Sequence, residues 1–212
     1  MKGLFIAFEG IDGCGKTTQI EKVAAWLESR GVKTEIAHEP NDLYPIGQTI
    51  KKMLRGEMDK TEDPKEFQRL YVIDRAQDIV SFIKPALTRG EVFIMDRFVL
   101  STIAFGMLSN LTAEELISMH EEVMGSHLIW PDLNIILDVP GKKSASRIIQ
   151  TRASTEFFDK EAWLEKVRQN YLNIATSPKF KKTTVVIDGA RDIEEVFEDV
   201  KHAIELILPA RK

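Results

Sequence analysis

Short apolar runs alternate along this chain with stretches whose apolar residues recur at helical spacing. Leu4-Phe5-Ile6-Ala7-Phe8 has strand length, and Ile20, Val23, Ala24 and Leu27 then share one helical face. Gly31 stops that helix, and Lys33-Thr34-Glu35-Ile36-Ala37 reads as the second strand. Asp63-Pro64-Lys65-Glu66 places an N-cap residue, a proline and a glutamate where a helix begins, and predicts a long helix to about Arg89 that Gly90 closes. Val92-Phe93-Ile94-Met95 is apolar throughout, as expected of a strand covered on both faces. Thr112-Ala113-Glu114-Glu115 is a second capping signal, and Gly125 ends the helix it opens. Residues 133–137 and 184–187 supply two more strands, each followed by helical sequence.

This alternation predicts an α/β fold, a five-stranded parallel sheet with helices on both faces, in a single domain spanning 1–212. Residues 142–160 are polar, carry Arg147 and Arg152, and include a loop-like Ala153-Ser154-Thr155 before helical periodicity resumes through Trp163, Val167 and Tyr171. Such an arginine-bearing excursion is the expected lid.

Composition narrows the function classes. No apolar run reaches the roughly 18 residues a membrane helix needs, and the N-terminal run leads directly into a glycine loop, so neither a span nor a cleaved signal is expected. One cysteine rules out an intramolecular disulfide and fits a reducing compartment, with the cytoplasm as the expected location. A net charge of −4 argues against a nucleic-acid surface, so a phosphate ligand must be met by local cations.

Those cations stand beside Gly10-Ile11-Asp12-Gly13-Cys14-Gly15-Lys16-Thr17, a complete G-x-x-x-x-G-K-S/T phosphate loop between a strand and a helix. Its glycines let backbone N–H groups curl around phosphate oxygens at the positive end of the helix. Lys16 is placed for the β- and γ-phosphates and Thr17 for Mg²⁺, with Thr18 beside them. The loop alone admits kinases, ATPases and GTPases. Asp138-Val139-Pro140-Gly141 imitates a GTPase switch, but no guanine-reading N-K-x-D follows. Asp96-Arg97-Phe98 directly follows a strand, at the carboxyl edge where open sheets bind ligands. There Asp96 can hold Mg²⁺ through water, and Arg97 can grip a phosphate with two N–H groups.

At this point the chain resembles a known family. Phe8-Glu9-Gly10 through Lys16-Thr17-Thr18-Gln19 is similar to the phosphate loop of thymidylate kinases, and Asp96-Arg97-Phe98 with Ser101, Ala104 and Phe105 resembles their D-R-Y/F segment. Tyr71 and Arg75 match an aromatic-x-x-x-Arg spacing, and the helix from Trp163 to Tyr171 looks like the one after the family's lid. The resemblance spans nearly the whole chain. It implies transfer of the ATP γ-phosphoryl to dTMP with Mg²⁺, in a homodimer. It further implies that Tyr71 stacks on thymine while Arg75 offers donors to its O4 acceptor, and that Arg97 holds the acceptor phosphate. Asp12 would lie near the sugar 3′-hydroxyl and Phe105 where a ribose 2′-hydroxyl would go. Glu39, Lys51, Ser101 and Thr102 complete the implied dTMP site.

Three departures stand out. His38-Glu39-Pro40-Asn41-Asp42-Leu43 replaces a common R-E-P-G-G-T, in a segment one residue longer than usual, and Lys51 stands where an arginine is common. The usual acidic-arginine lid cluster is absent, which leaves Arg147 and Arg152 as candidates, Arg152 preferred. The alternatives are a phosphate-loop kinase for another nucleotide or a deoxynucleoside, and a non-kinase ATPase switch.

Overall fold

The computed structural model describes residues 3–59, 61–151 and 157–208. Strands β1 (Leu4–Glu9), β2 (Thr34–His38), β3 (Val92–Asp96), β4 (Leu133–Asp138) and β5 (Thr184–Asp188) form one sheet in the order β2-β3-β1-β4-β5, and every pairing is parallel. The expected fold class is therefore observed. All six residues of the central β1 are buried, which needs cover on both faces, whereas the edge strands β2 and β5 are only partly buried. β3 and β4 flank β1, so the carboxyl ends of these three strands meet where the strand order reverses.

The helices are α1 (Lys16–Ser29), α2 (Pro45–Leu54), α3 (Pro64–Asp78), α4 (Lys84–Thr88), α5 (Val99–Gly106), α6 (Ala113–Met124), α7 (Gly141–Thr151), α8 (Phe157–Thr176) and α9 (Ile193–Glu205). α1 packs on α9, while α3, α5, α6 and α8 form a second contiguous group. No described helix is long and apolar enough to cross a membrane.

The long helix expected up to Arg89 is present, but it is α3 and α4 joined by a π-helical turn at Ile79–Ile83. Pro85 explains the wider turn, since it has no N–H to donate and its ring crowds the carbonyl four residues back. Asp63 does cap α3, its carboxylate accepting from the Lys65 backbone N–H at 2.8 Å, and Thr112 and Glu115 form the full reciprocal box at α6. Two helices escaped the sequence pattern. α2 contains Gly47, whose added Cβ would stand 1.8 Å from the Asn41 carbonyl oxygen, so a residue that lowers helix propensity is imposed by close approach. α5 is buried nearly all round and shows no amphipathic period. Arg152 and the loop-like triplet after it lie outside the described residues.

Candidate active site

β1 delivers the chain into the phosphate loop. Gly10, Gly13 and Gly15 all have positive φ (132°, 77° and 102°), and a Cβ on Gly10 would also lie 2.8 Å from the Leu137 carbonyl oxygen. The buried Lys16 ammonium reaches back over the loop to the carbonyl oxygens of Gly10 and Ile11, each at 3.3 Å, with Cys14 Sγ 3.8 Å away. Gly15 supplies no side-chain cap, so the first-turn N–H groups of α1 are left to an anion, and Thr17 and Thr18 are exposed beside them.

Asp96, at the end of β3, has a buried Oδ1 that takes part in no hydrogen bond and lies 4.0 Å from Lys16 Nζ. An orphaned carboxylate oxygen on this sheet edge and the exposed Thr17 hydroxyl at the start of α1 are hard-oxygen donors of the kind that fits Mg²⁺. Among the described residues no three His, Cys, Asp or Glu side chains cluster to hold a metal. A magnesium ion here would thus take most of its ligands from phosphate and water, as this ion usually does.

Arg97 occupies the left-handed region at φ 70°. Its Nη2 donates to Asp12 Oδ1 at 2.6 Å, and its Nη1 to the Gly10 carbonyl at 3.0 Å, with Ser101 Oγ and Tyr171 Oη at 3.3 and 3.4 Å. Burial would lower its pKa, but Tyr171, Asp12, Asp96 and Glu9 together hold it above the ordinary value. The turn is held from below by Glu9. One Glu9 oxygen accepts from the backbone N–H groups of Phe98 (2.9 Å) and Ser101 (3.3 Å), the other from the hydroxyls of Ser101 (2.6 Å) and Tyr171 (3.1 Å). Glu9 thereby caps α5 from another strand. The signal for it was in the sequence, a lone carboxylate ending an otherwise apolar buried strand.

Between α3, α5 and α8 lies a cleft of about 560 Å³, walled by Asp12, Glu39, Tyr71, Arg75, Arg97, Ser101, Thr102, Phe105 and Trp163 among others. Eight of the nine residues expected on the acceptor side therefore meet in one cavity. Lys51 does not line it. Its ammonium is engaged by Asp42 at 2.5 Å and by His38 at 3.2 Å. Tyr71 is half-buried, edge-on to Phe67, and burial raises its phenol pKa. Phe105 packs against Trp163 and under the Arg97 guanidinium, 5.2 Å from its ring centre.

Arg75 is buried, with 1% of its side chain exposed, and is no surface helix charge. Glu39 takes two of its N–H groups, Nε at 3.0 Å and one from Nη2, and Thr102 and His120 accept from Nη1. Four of its five N–H groups thus have protein partners, which limits the donors it could offer a base. Burial pushes the Glu39 carboxyl up and Arg75 opposes this. With both oxygens accepting from the guanidinium, the contact is that of an ionised pair. Behind it, the Asn41 N–H donates to Asp74 Oδ2 at 2.9 Å and its amide to Asp78 Oδ1 at 2.6 Å. Burial lifts the Asp78 pKa to about 7, with Asp74 adding to the rise.

On the other side of the phosphate loop is a smaller cleft of about 210 Å³, bordered by Gly13, Cys14, Gly15, Thr18, Gln19 and Arg147 with residues from the β5–α9 end. Arg147 donates to the carbonyls of Gly13 and Cys14 at 3.4 Å and of Gly189 at 3.3 Å. It belongs to this cleft's wall rather than to the space above Lys16. Asp138 of the switch-like Asp138-Val139-Pro140-Gly141 is held by Arg168, at 2.5 and 3.0 Å.

Comparison with known proteins agrees with this geometry. The family model described as thymidylate kinase matches residues 8–200. A probable thymidylate kinase of Thermococcus kodakarensis is 35% identical over 213 residues, covering 97% of this chain and 98% of that protein. A thymidylate kinase of Halothermothrix orenii is 35% identical over 210 residues, with 97% and 98% covered. A probable thymidylate kinase of Pyrococcus abyssi is 36% identical over 204 residues, with 94% and 95% covered. A phosphate loop set between two clefts, one walled by an aromatic ring and a buried arginine, and a match of this extent lead to one assignment, that the chain belongs to the thymidylate kinase family.

Proposed function

We propose that the protein transfers the γ-phosphoryl group of ATP to the 5′-phosphate of dTMP, giving dTDP and ADP. The observation that carries this reading is the position of Arg97, on the edge of the phosphate loop and in the wall of the larger cleft at once. ATP would enter from the smaller cleft with its β- and γ-phosphates on the loop. dTMP would fill the larger one, its thymine against Tyr71 and its O4 toward Arg75. Arg97 would hold the acceptor phosphate, Asp12 the 3′-hydroxyl side of the sugar, and Phe105 the position of a 2′-hydroxyl.

Chemistry here is mostly positioning and charge neutralisation, because a phosphate oxygen is already nucleophilic at neutral pH. Lys16 leaves the loop carbonyls to meet the transferring group, and Arg97 orients the attacking oxygen. Thr17 and, through water, Asp96 would hold Mg²⁺, which supplies further positive charge at the phosphates. Residues 142–160 would form the lid that excludes water, with Arg152 as the arginine it brings in. We read the working protein as a cytoplasmic homodimer. Incubation with ATP, Mg²⁺ and a panel of nucleoside monophosphates tests the proposal. ADP and dTDP in equal amounts are expected, whereas ADP with inorganic phosphate, or a preference for dCMP or AMP, would overturn it.

A further inference from the structure

Arg75 is a fully buried charged group in the wall of the larger cleft, and its bonding pattern fixes the chemistry of the residue behind it. A guanidinium can only donate and a backbone carbonyl can only accept. His120, on α6 and fully buried, stands between one of each, with Nε2 against Arg75 Nη1 and Nδ1 2.6 Å from the Leu116 carbonyl oxygen. Only one protonation state satisfies both neighbours, the neutral ring with its hydrogen on Nδ1 and its lone pair on Nε2. Burial and the Arg75 charge act in the same direction, pushing the His120 pKa down to about 3.

The consequence falls on the guanidinium. Glu39 grips its Nε–Nη2 edge, and Thr102 Oγ1, 3.0 Å away, takes one Nη1 hydrogen. Without an acceptor at position 120 the second Nη1 hydrogen would be buried and unpaired, and the planar group could relieve this only by turning toward the cleft. With His120 in place a single hydrogen, on Nη2, has no partner among the described residues and is left for a ligand.

We propose that His120 is a positioning residue for base selection, holding Arg75 so that it offers the pyrimidine one fixed donor. This rests on the reading of the larger cleft as the dTMP site. A single rigid donor donates to the O4 of thymine and opposes the amino group that cytosine carries at the same place. A guanidinium with a second hydrogen to place, or room to turn, would lose that discrimination, because it could move off the mismatched amino group at little cost.

Two variants separate the acceptor from mere bulk. His120→Gln keeps an oxygen that can reach Nη1, and His120→Phe keeps the ring volume without an acceptor. In kcat/KM measurements with dTMP and dCMP, His120→Phe should lower the dTMP-to-dCMP ratio by about tenfold or more, the scale of one charged hydrogen bond. The KM for ATP should not move, and His120→Gln should restore the ratio to within a few-fold. An unchanged ratio in a folded His120→Phe protein, or equal losses in both variants, would overturn the proposal. A second readout needs neither variant nor turnover. In ¹⁵N-labelled wild-type protein, His120 should show the Nδ1–H tautomer and stay neutral down to about pH 5. A ring protonated on Nε2, or one titrating at an ordinary histidine pKa, would refute the inference even if dTMP proves to be the substrate. A wild-type protein that ignores dTMP would instead fail the assignment of the cleft, and leave the tautomer measurement standing.

Discussion

Replacing Arg97 by glycine and, separately, by alanine measures what the D-R-F turn costs to hold. Both substitutions delete the same guanidinium, with its bonds to Asp12, Gly10 and Ser101, so those losses cancel between the two variants. What remains is the backbone. Arg97 sits at φ 70°, which costs an L-residue about 1–2 kcal/mol and glycine almost nothing. Glycine gives back part of that advantage, roughly 0.5–1 kcal/mol, through its greater freedom in the unfolded chain. The balance leaves Arg97→Gly the more stable variant by up to about 1.5 kcal/mol, or up to roughly 3–6 °C in melting temperature for a protein of this size.

Thermal unfolding of the pair by circular dichroism reads this difference directly. Steady-state kinetics should show both variants equally impaired with dTMP, by about 2–3 kcal/mol of acceptor recognition, with ATP binding largely retained. In an unstrained loop the order of stability would be reversed, alanine above glycine. An alanine variant that melts clearly above the glycine one would therefore show that the turn stores no strain. Strain at this position has a functional rationale. Only a left-handed residue here lets the chain leave β3, present a side chain back across the phosphate loop and still enter α5 under the Glu9 cap.

Lys16→Ala should reduce turnover by at least about 3 kcal/mol of transition-state stabilisation without unfolding the protein, and near-normal kinetics with an unchanged circular dichroism spectrum would remove the phosphate-loop argument. Phe105→Ala should narrow the preference for dTMP over its ribose counterpart, measured as a ratio of kcat/KM values; an unchanged ratio means the ring serves packing alone. Cys14, buried in the loop, should be alkylated more slowly in the presence of Mg-ATP, and equal rates would place the nucleotide elsewhere. Asp78 provides a pH test. Its pKa of about 7 in the folded protein exceeds the ordinary carboxyl value, so its favourable contribution is complete below about pH 4 and is lost as pH rises through 7. Asp78→Asn keeps an acceptor for Asn41 and abolishes that loss. Its melting temperature should gain on the wild type between about pH 4 and 7 and level off above, and a gap that stays constant or shrinks over that range would contradict the placement.

Much of this was legible in the residues, for reasons that can be stated element by element. The strands were visible because β1, β3 and β4 are buried on both faces and so carry unbroken apolar runs. Each observed strand continues one polar residue further, to Glu9, His38, Asp96, Asp138 and Asp188, because the catalytic edge of the sheet is where pairing persists beyond the apolar stretch. The loop residues and the Tyr71–Arg75 pair were legible because their chemistry depends on local spacing. The network behind them was not. Glu9, His120 and Tyr171 act on Arg97 and Arg75 from 45 or more positions away, across strands and helices that only tertiary packing brings together.

The departures from the family pattern also make physical sense once placed. Asn41 stands where a glycine is common, and its backbone and amide N–H groups donate to one oxygen each of Asp74 and Asp78. Lys51 stands where an arginine is common, and its partner is Asp42, another residue of the altered loop. Each change is thus answered by an acid in contact with it. Neither lines the cleft, while its wall keeps Tyr71, Arg75, Thr102 and Phe105. Altering the support without altering the wall predicts ordinary thymine selectivity from an unusual loop. It also ties that loop to base reading mechanically. Asn41 holds α3 at two carboxylates one turn apart, and Arg75, the base reader proposed above, follows the first of them directly in the chain.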